Sequence, residues 1–413
     1  MRPALGVRNA SLAYDERSRD SVCLESDPAL REVSVGANAQ YAVTRLNLTE
    51  YRNIRHLRLE SEARVVVLSG PNGAGKTNIL ESISFLSPGR GLRRARLTEV
   101  ARRGGAEGWA VAARIRDPGG VTEIGTGLAP GEQGAERRLV KIDGQAVRGT
   151  APLTQAATVN WLTPQMDRLF IEGPGPRRRF LDRLVYGFDS EHASRVSAYE
   201  RALRERSQLL RNDRGDSAWL AALEDAMATH GVAVAAARRE AIARLVSGMK
   251  AGVSPFPSAR VAADGDVERW LDEIPAVDAE VRFRDVLASE RQCDAQTGGA
   301  RTGPHRTDFA VRHVEKDMPA AECSTGEQKA LLVSIVLADA RLQEARLGRA
   351  PLLLFDEVTA HLDAERREAL FILLAARSAQ TWITGTDSLL FRELGTAAQR
   401  FEVNDGRVTA RSD

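Results

Sequence analysis

One segment restricts the possible folds more than any other: Gly70-Pro71-Asn72-Gly73-Ala74-Gly75-Lys76-Thr77. It fits the pattern G-x-x-x-x-G-K-[ST] without a gap. Directly before it lies Arg64-Val65-Val66-Val67-Leu68-Ser69, a short β-branched run with no polar alternation, as expected of a strand buried on both faces. Directly after it, Asn78-Ile79-Leu80-Glu81-Ser82-Ile83 opens a helix. Strand, glycine-rich loop and helix in that order aim backbone N–H groups and the positive end of a helix at phosphate oxygens. Lys76 is then expected to reach the β- and γ-phosphates of ATP, and the Thr77 hydroxyl to ligate Mg2+. Lysine occurs only at Lys76, Lys141, Lys250, Lys316 and Lys329 among 58 basic residues, so the chain departs from its arginine preference at this loop. A compact ammonium fits a narrow loop where a planar guanidinium does not.

A loop of this kind needs acids near it. Pro351-Leu352-Leu353-Leu354-Phe355-Asp356-Glu357 is an apolar run ending in two carboxylates, which describes a buried strand delivering acids to a crevice at its C-terminal end. By itself such a pair is also compatible with an edge strand or a helix cap; beside the loop it predicts Asp356 as a Mg2+ ligand and Glu357 as the general base that activates water. Cys323-Ser324-Thr325-Gly326-Glu327-Gln328-Lys329-Ala330-Leu331-Leu332 precedes a long apolar stretch, and Ser324 with Glu327 three residues on forms a helix capping box.

The remaining chain divides by pattern. Residues 1–40 are polar and aperiodic, which predicts a flexible extension or a stretch coded upstream of the true start. Tyr41–Leu48 and His56–Leu59 alternate as strands, and Leu97–Val147 holds further alternating segments, including Trp109–Ile115 and Arg138–Ile142. From about Glu191 to Met249 apolar residues recur at helical spacing on both sides of a turn at Asn212–Asp216, predicting an antiparallel helical hairpin. A continuous second helix of roughly 30 residues would be ~45 Å long, so it is either a protruding arm or a subdomain folded onto the core. Strand character returns at Leu352–Phe355 and Thr381–Thr384. The expected segments are 1–40 as extension, 41–190 as the first half of a split α/β head, 191–299 as the helical arm, and 300–413 as the second half.

Several of these stretches together resemble one family. Leu46-Asn47-Leu48-Thr49-Glu50-Tyr51-Arg52-Asn53-Ile54, the loop with its helix, Thr163-Pro164-Gln165 through Arg177-Arg178-Arg179-Phe180-Leu181-Asp182, Thr302-Gly303-Pro304-His305-Arg306-Thr307-Asp308 and the Ser324 segment are similar to RecF-family proteins, from about Val43 to Arg407. The resemblance implies an SMC-related, ABC-type P-loop ATPase head of α/β class, with a mixed sheet and an inserted helical, coiled-coil-like arm domain. It implies an ATP-dependent head-to-tail homodimer with two nucleotides between the protomers. Double-stranded and gapped DNA would be the substrate, and RecO and RecR the partners in RecA loading. Carried over by residue, it assigns Gly70 through Thr77 to nucleotide, Gln165 to nucleotide and Mg2+, Ser324, Gly326 and Gln328 to the signature, and Asp356 and Glu357 to the Walker B pair. Asp363 falls in the D-loop that crosses the dimer interface. The switch histidine of ABC transporters is missing from Thr384-Gly385-Thr386-Asp387, so its role passes to Thr386 or Asp387 and slow hydrolysis is expected.

Composition excludes more than it assigns. The 413 residues, at ~150 per domain, allow two or three compact units. No run approaches the ~18 apolar residues of a membrane span, and the N-terminus has no secretion signal. Cys23, Cys293 and Cys323 match no disulfide or metal spacing, so a cytoplasmic protein is expected. Net charge is +2, from 58 basic and 56 acidic residues, which leaves nucleic acid to local features. Arg90, Arg93, Arg94, Arg96, Arg102 and Arg103 lie near only one acid in sequence, Glu99, and are read either as DNA-phosphate contacts or as a solvated face. Arg177, Arg178, Arg179 and Arg183 fit internal pairing better. Neither group interleaves aromatics, so backbone contact is expected in place of base stacking. A transporter nucleotide-binding subunit would require a Leu-Ser-Gly-Gly-Gln signature and the histidine; a structural SMC protein would require hundreds of coiled-coil residues.

Overall fold

The computed structural model describes residues 39–105, 108–128, 137–211, 216–249 and 254–411. The expected extension up to residue 38, Cys23, the turn at 212–215 and Lys250 lie outside the described residues. Along the chain come β1 (Ala42–Tyr51), β2 (Ile54–Glu60), β3 (Val65–Ser69), α1 (Lys76–Ser84), β4 (Trp109–Asp117), β5 (Gly120–Leu128), β6 (Leu139–Ile142) and β7 (Gln145–Val147). Then follow α2 (Leu153–Ala156), β8 (Val159–Leu162), α3 (Pro174–Tyr186), α4 (His192–Arg211), α5 (Ser217–Met249), β9 (Ala259–Asp264), α6 (Asp266–Glu273), α7 (Ala276–Ser289) and α8 (Arg291–Thr297). The last elements are β10 (Asp308–His313), β11 (Met318–Pro319), α9 (Thr325–Leu347), β12 (Leu352–Phe355), α10 (Ala364–Ala375), β13 (Thr381–Gly385), β14 (Ala398–Asn404) and β15 (Arg407–Arg411).

Among the described residues these strands form three sheets. One is antiparallel in the order β2-β1-β4-β5-β6-β7, and one is mixed in the order β15-β14-β3-β13-β12-β8. In the mixed sheet β14, β3, β13, β12 and β8 run parallel and only the β14–β15 pair is antiparallel. Parallel strands buried on both faces divide their side chains by parity. Val66 and Leu68 of β3 and Leu352 and Leu354 of β12 face the core shared with the antiparallel sheet. Val65, Val67, Leu353 and Phe355 face a second core with α3, α9 and α10. The consequence for function is positional. The C-terminal ends of β3, β13, β12 and β8 open side by side, and the loop at 70–77, Thr384, Asp356 and the turn after Leu162 all emerge at that edge.

Helices α4 and α5 pack along each other, as the periodicity predicts, and α5 runs unbroken for 33 residues. It does not stand free, because it also packs against α3, α6, α7, α9 and β9. Two glycines permit close approach: a Cβ at Gly231 would lie 2.8 Å from the Phe283 ring and 3.1 Å from that of Tyr199, and one at Gly248 would lie 2.7 Å from the Leu342 side chain. Strand β9, inside the expected helical segment, pairs antiparallel with β10 beyond it, so a boundary at 299/300 would cut through a sheet. Much of the arginine surplus is structural in this region. Arg206 is fully buried and held by Glu224 at 2.9 Å, Asp294 at 2.7 Å and the Leu287 carbonyl at 2.7 Å. Arg238 binds both oxygens of Asp182, at 2.8 and 3.0 Å.

Candidate nucleotide site and arginine surface

The loop geometry follows from its glycines. Gly70 has φ 148, and a Cβ there would lie 2.1 Å from the Val403 carbonyl oxygen on β14. Gly75 caps α1 at φ 113, with the Asn53 side chain where its Cβ would be. Only glycine accommodates both the backbone angles and the approach. The Asn53 amide donates to the Ala74 carbonyl at 3.2 Å, tying the β1–β2 turn to the loop. A turn asparagine carries no sequence signal for such a role, so Asn53 is recognised only from this contact.

Lys76 is 5% exposed, and its ammonium donates to the Gly70 carbonyl at 2.7 Å and the Pro71 carbonyl at 3.0 Å. It lies 4.0 Å from Glu357 Oε1. Burial lowers its pKa, while the charges of Glu357 and then Asp356 act to raise it. The Thr77 hydroxyl donates to Asp356, 2.9 and 3.0 Å from its two oxygens. A hydroxyl and a carboxylate converging beside a buried ammonium are the oxygen donors Mg2+ takes when phosphates and water complete its shell. Among the described residues no cluster of three or more His, Cys, Asp or Glu side chains offers an all-protein metal cage. The two oxygen donors of Thr77 and Asp356 fit a metal whose other ligands come from a nucleotide and water.

Glu357 adopts φ 50, a left-handed conformation that costs a non-glycine residue on the order of 1 kcal/mol or more. Thr384 was not foreseen. Its hydroxyl donates to Asp356 Oδ1 at 2.7 Å and accepts from the Glu357 N–H at 3.0 Å, so one side chain positions both acids. Strand β13, lying between β3 and β12, puts it there. The expected switch residues Thr386 and Asp387 are exposed, and the Asp387 carboxylate is occupied by the Leu389 N–H at 2.8 Å. The contact to the acids thus falls on Thr384, two residues earlier, because it is the last buried hydroxyl before the strand ends.

Gln165 is exposed in the turn Pro164–Arg168, and no hydrogen bond among the described residues brings it to Thr77 or Asp356. Ser324 caps α9 with the predicted reciprocal box: its hydroxyl accepts from the Glu327 N–H, and the Glu327 carboxylate accepts from the Ser324 N–H at 2.9 Å. Ser324 and Thr325 are exposed. A Cβ on Gly326 would lie 3.3 Å from the His361 carbonyl oxygen, so this helix end abuts the segment leading to Asp363. Gln328 differs from expectation. It is 1% exposed and its amide donates to the Cys323 carbonyl at 2.8 Å, so it braces the cap from beneath and does not share the outward face of Ser324. Asp363 is exposed and caps α10 through the Arg366 N–H at 2.8 Å. Among the described residues, no hydrogen bond or ion pair joins Ser324, Gly326, Gln328 or Asp363 to the loop at 70–77.

The arginine groups separate differently from their sequence clustering. Arg93, expected to lack acids apart from Glu99, donates to Asn78 Oδ1 at 2.5 Å and lies 3.4 Å from buried Glu81, which also holds Arg52. Glu81 was missed because it projects from α1 toward the segment that follows. Arg102 pairs with Glu50 at 2.8 Å. Arg177 forks onto Asp308 at 2.7 and 2.9 Å, and buried Arg183 stacks over Trp161 at 4.1 Å. Arg90, Arg94, Arg96 and Arg179 are exposed, and among the described residues none has a carboxylate within salt-bridge distance. Desolvation, followed by the charges of Arg94 and Arg178, depresses the Arg179 guanidinium, which places members of the two sequence groups within electrostatic reach of each other.

The family model for the RecF/RecN/SMC N-terminal domain matches residues 42–409. The DNA replication and repair protein RecF of Mesorhizobium japonicum is 48% identical over 378 residues, covering 91% of this chain and 99% of that protein. RecF of Rhizobium meliloti is 48% identical over 372 residues, covering 89% and 98%. The solved structure of the recombination mediator protein RecF-ATPrS of the RecFOR pathway matches with TM-score 0.79 at 21% identity, over 91% of this chain and 99% of that one. An SmcHead bound to the C-winged helix domain of ScpA matches with TM-score 0.51 at 18% identity, over 89% and 97%. At those identities the two structures establish the fold.

Proposed function

Because the chain belongs to the RecF family, within the wider RecF/RecN/SMC N-terminal domain group, we propose that it is an ATP-controlled DNA-binding protein of replication and recombinational repair. The observation that carries the nucleotide reading is the meeting of Thr77 and Asp356, from opposite ends of the chain, beside buried Lys76. In this reading Gly70 through Thr77 bind ATP, with Lys76 neutralising the phosphates. Thr77 and Asp356 hold Mg2+, which supplies positive charge between phosphate oxygens, and Gln165 answers from its turn. Glu357 orients and deprotonates the attacking water, with Thr384 fixing its backbone. Hydrolysis is slow, since a neutral threonine stands nearest the acids.

Ser324 and Asp363 face outward with half-buried Gly326 between their segments, and each protomer presents them to the nucleotide of a second copy in a head-to-tail homodimer. ATP binding closes that dimer and hydrolysis reopens it. Closure aligns Arg90, Arg94, Arg96 and Arg179 on the phosphates of duplex beside a gap, and with RecO and RecR the protein promotes RecA loading in the cytoplasm. A transporter subunit is not supported, since the chain has neither the required signature nor the histidine.

Two measurements test this. Light scattering of Glu357→Gln at saturating ATP should find a dimer, and a monomer would sink the sandwich. Anisotropy on gapped DNA should show ATP-dependent binding that weakens with salt, and Arg94→Ala with Arg179→Ala should lower the log–log salt slope by about two for each protomer of the dimer. Binding that needs neither ATP nor these arginines would mean non-specific contact.

A further inference from the structure

Of the five lysines in this chain, Lys76 and Lys329 are buried beside the acids at 356 and 357. Lys329 lies on α9, five residues past the cap Ser324, and is 3% exposed. Its ammonium donates to the Glu357 main-chain carbonyl at 3.2 Å and to Asp167 Oδ2 at 3.3 Å. Glu357 is the residue held at φ 50, and its carbonyl also accepts from the Ala360 N–H at 3.2 Å. Asp167 belongs to the same short turn as Gln165. A small pocket lined by Thr163, Asp167, Lys329, Leu332 and Asp356 adjoins these groups.

A buried ammonium is costly unless its partners are well placed, and here both partners belong to the site. Asp167 supplies the countercharge. The Glu357 carbonyl supplies an acceptor that a neutral side chain of the same length would leave without its second donor. Two lysines therefore bracket Glu357, Lys76 near its carboxylate and Lys329 at its backbone. One is on the nucleotide loop and the other on the helix whose exposed end is capped by Ser324.

We propose that Lys329 is a positioning residue for hydrolysis, which fixes the backbone of Glu357 and couples it to α9, so that engagement of Ser324 by the partner's nucleotide is transmitted to the protomer's own general base. The dimeric part of this statement rests on the function proposed above. The link from Ser324 to Lys329 needs no flexible element, because both are on one helix whose first turns pack into the core. Each of the two composite sites then senses the other, and hydrolysis responds cooperatively to ATP.

The test uses the full chain with gapped duplex present. Lys329→Met should keep ATP affinity and ATP-dependent dimerisation within about twofold of wild type, lower kcat by about tenfold to a hundredfold with KM unchanged, and reduce the Hill coefficient to about 1. Lys329→Arg should recover part of kcat, since it restores the cation. Asp167→Asn should lower kcat by less, and combining it with Lys329→Met should add little, because the two act as one unit. Wild-type kcat in Lys329→Met would overturn the proposal, and so would equal losses of kcat and ATP affinity in all three variants. Should Lys329→Met fail to fold, an unchanged kcat and Hill coefficient in both Lys329→Arg and Asp167→Asn would count against the proposal, and a selective kcat loss in Asp167→Asn in its favour. A wild type that binds ATP but stays monomeric would overturn the dimeric function first and leave only the link from Lys329 to Glu357 to be judged on kcat.

Discussion

The nucleotide loop and the exposed end of α9 are both glycine-containing segments that open a helix, yet they are finished in opposite ways. At the loop, residues from distant parts of the chain converge: Thr77 on Asp356, Lys76 near Glu357, Asn53 on the Ala74 carbonyl. At the helix end the polar groups of Ser324 and Glu327 satisfy each other, and the serine still faces out. The first arrangement makes sense as a site assembled within one chain. The second is locally complete as a cap, and in the dimer proposed above it would be half of a site that another molecule completes. A capping box and a signature motif are therefore compatible readings of Ser324, since the cap holds the N-terminal N–H groups of α9 in a fixed, outward orientation.

The contrast can be broken from either side, and the largest effect belongs to the loop. Lys76→Ala removes the buried cation of the loop at 70–77 and should weaken ATP binding by about a hundredfold or more in a fluorescent-nucleotide titration. Dimerisation should be lost with it. Ser324→Arg should leave the affinity of the single protomer within about twofold while abolishing the ATP-dependent dimer, because it obstructs only the outward face. Equal loss of nucleotide binding in both variants would mean that the two regions are not separable. Thr384→Val, nearly isosteric on a buried strand, deletes the hydrogen bonds to Asp356 and the Glu357 N–H and should lower kcat by about tenfold with dimerisation intact.

What the sequence disclosed follows the same division. Lys76, Thr77 and Asp356 were legible because a contiguous motif and two unbroken apolar strands fix both their identity and the direction in which the chain delivers them. Thr384 was not legible. It is one of many threonines at a strand end, and only the order β3-β13-β12 shows that its strand runs between the loop and the acids. Lys329 stood out as a rare lysine, but helix phase alone does not say that it points at Glu357. The periodicity of α5 revealed an apolar face without saying what covers it, so arm and packed subdomain stayed equivalent until α3, α9 and β9 were seen against it. For the arginines, proximity in sequence misled. Arg93 is tethered by Glu81, whereas Arg94 and Arg179, from different groups, feel each other's charge.

The smallest effect should come from the cap itself, and its pH dependence distinguishes a charge-assisted cap from a neutral one. Lys316 first, and then the Ser324 N–H and hydroxyl, hold the Glu327 carboxyl at about 2, well below its ordinary 4.5. A carboxyl whose folded value is depressed contributes stability that is fully present above its unfolded value and disappears as pH falls through the folded one. Glu327→Gln should therefore lower stability in urea by a constant amount from pH 8 to about 5, with the gap to wild type narrowing below about 4.5. Ser324→Ala should cost about 1 kcal/mol at every pH in the upper range, the usual effect of deleting an N-cap hydroxyl. A Glu327→Gln gap that stayed unchanged at pH 4 and below would show that the carboxylate charge contributes nothing to the cap, leaving hydrogen bonding alone to hold Ser324 outward.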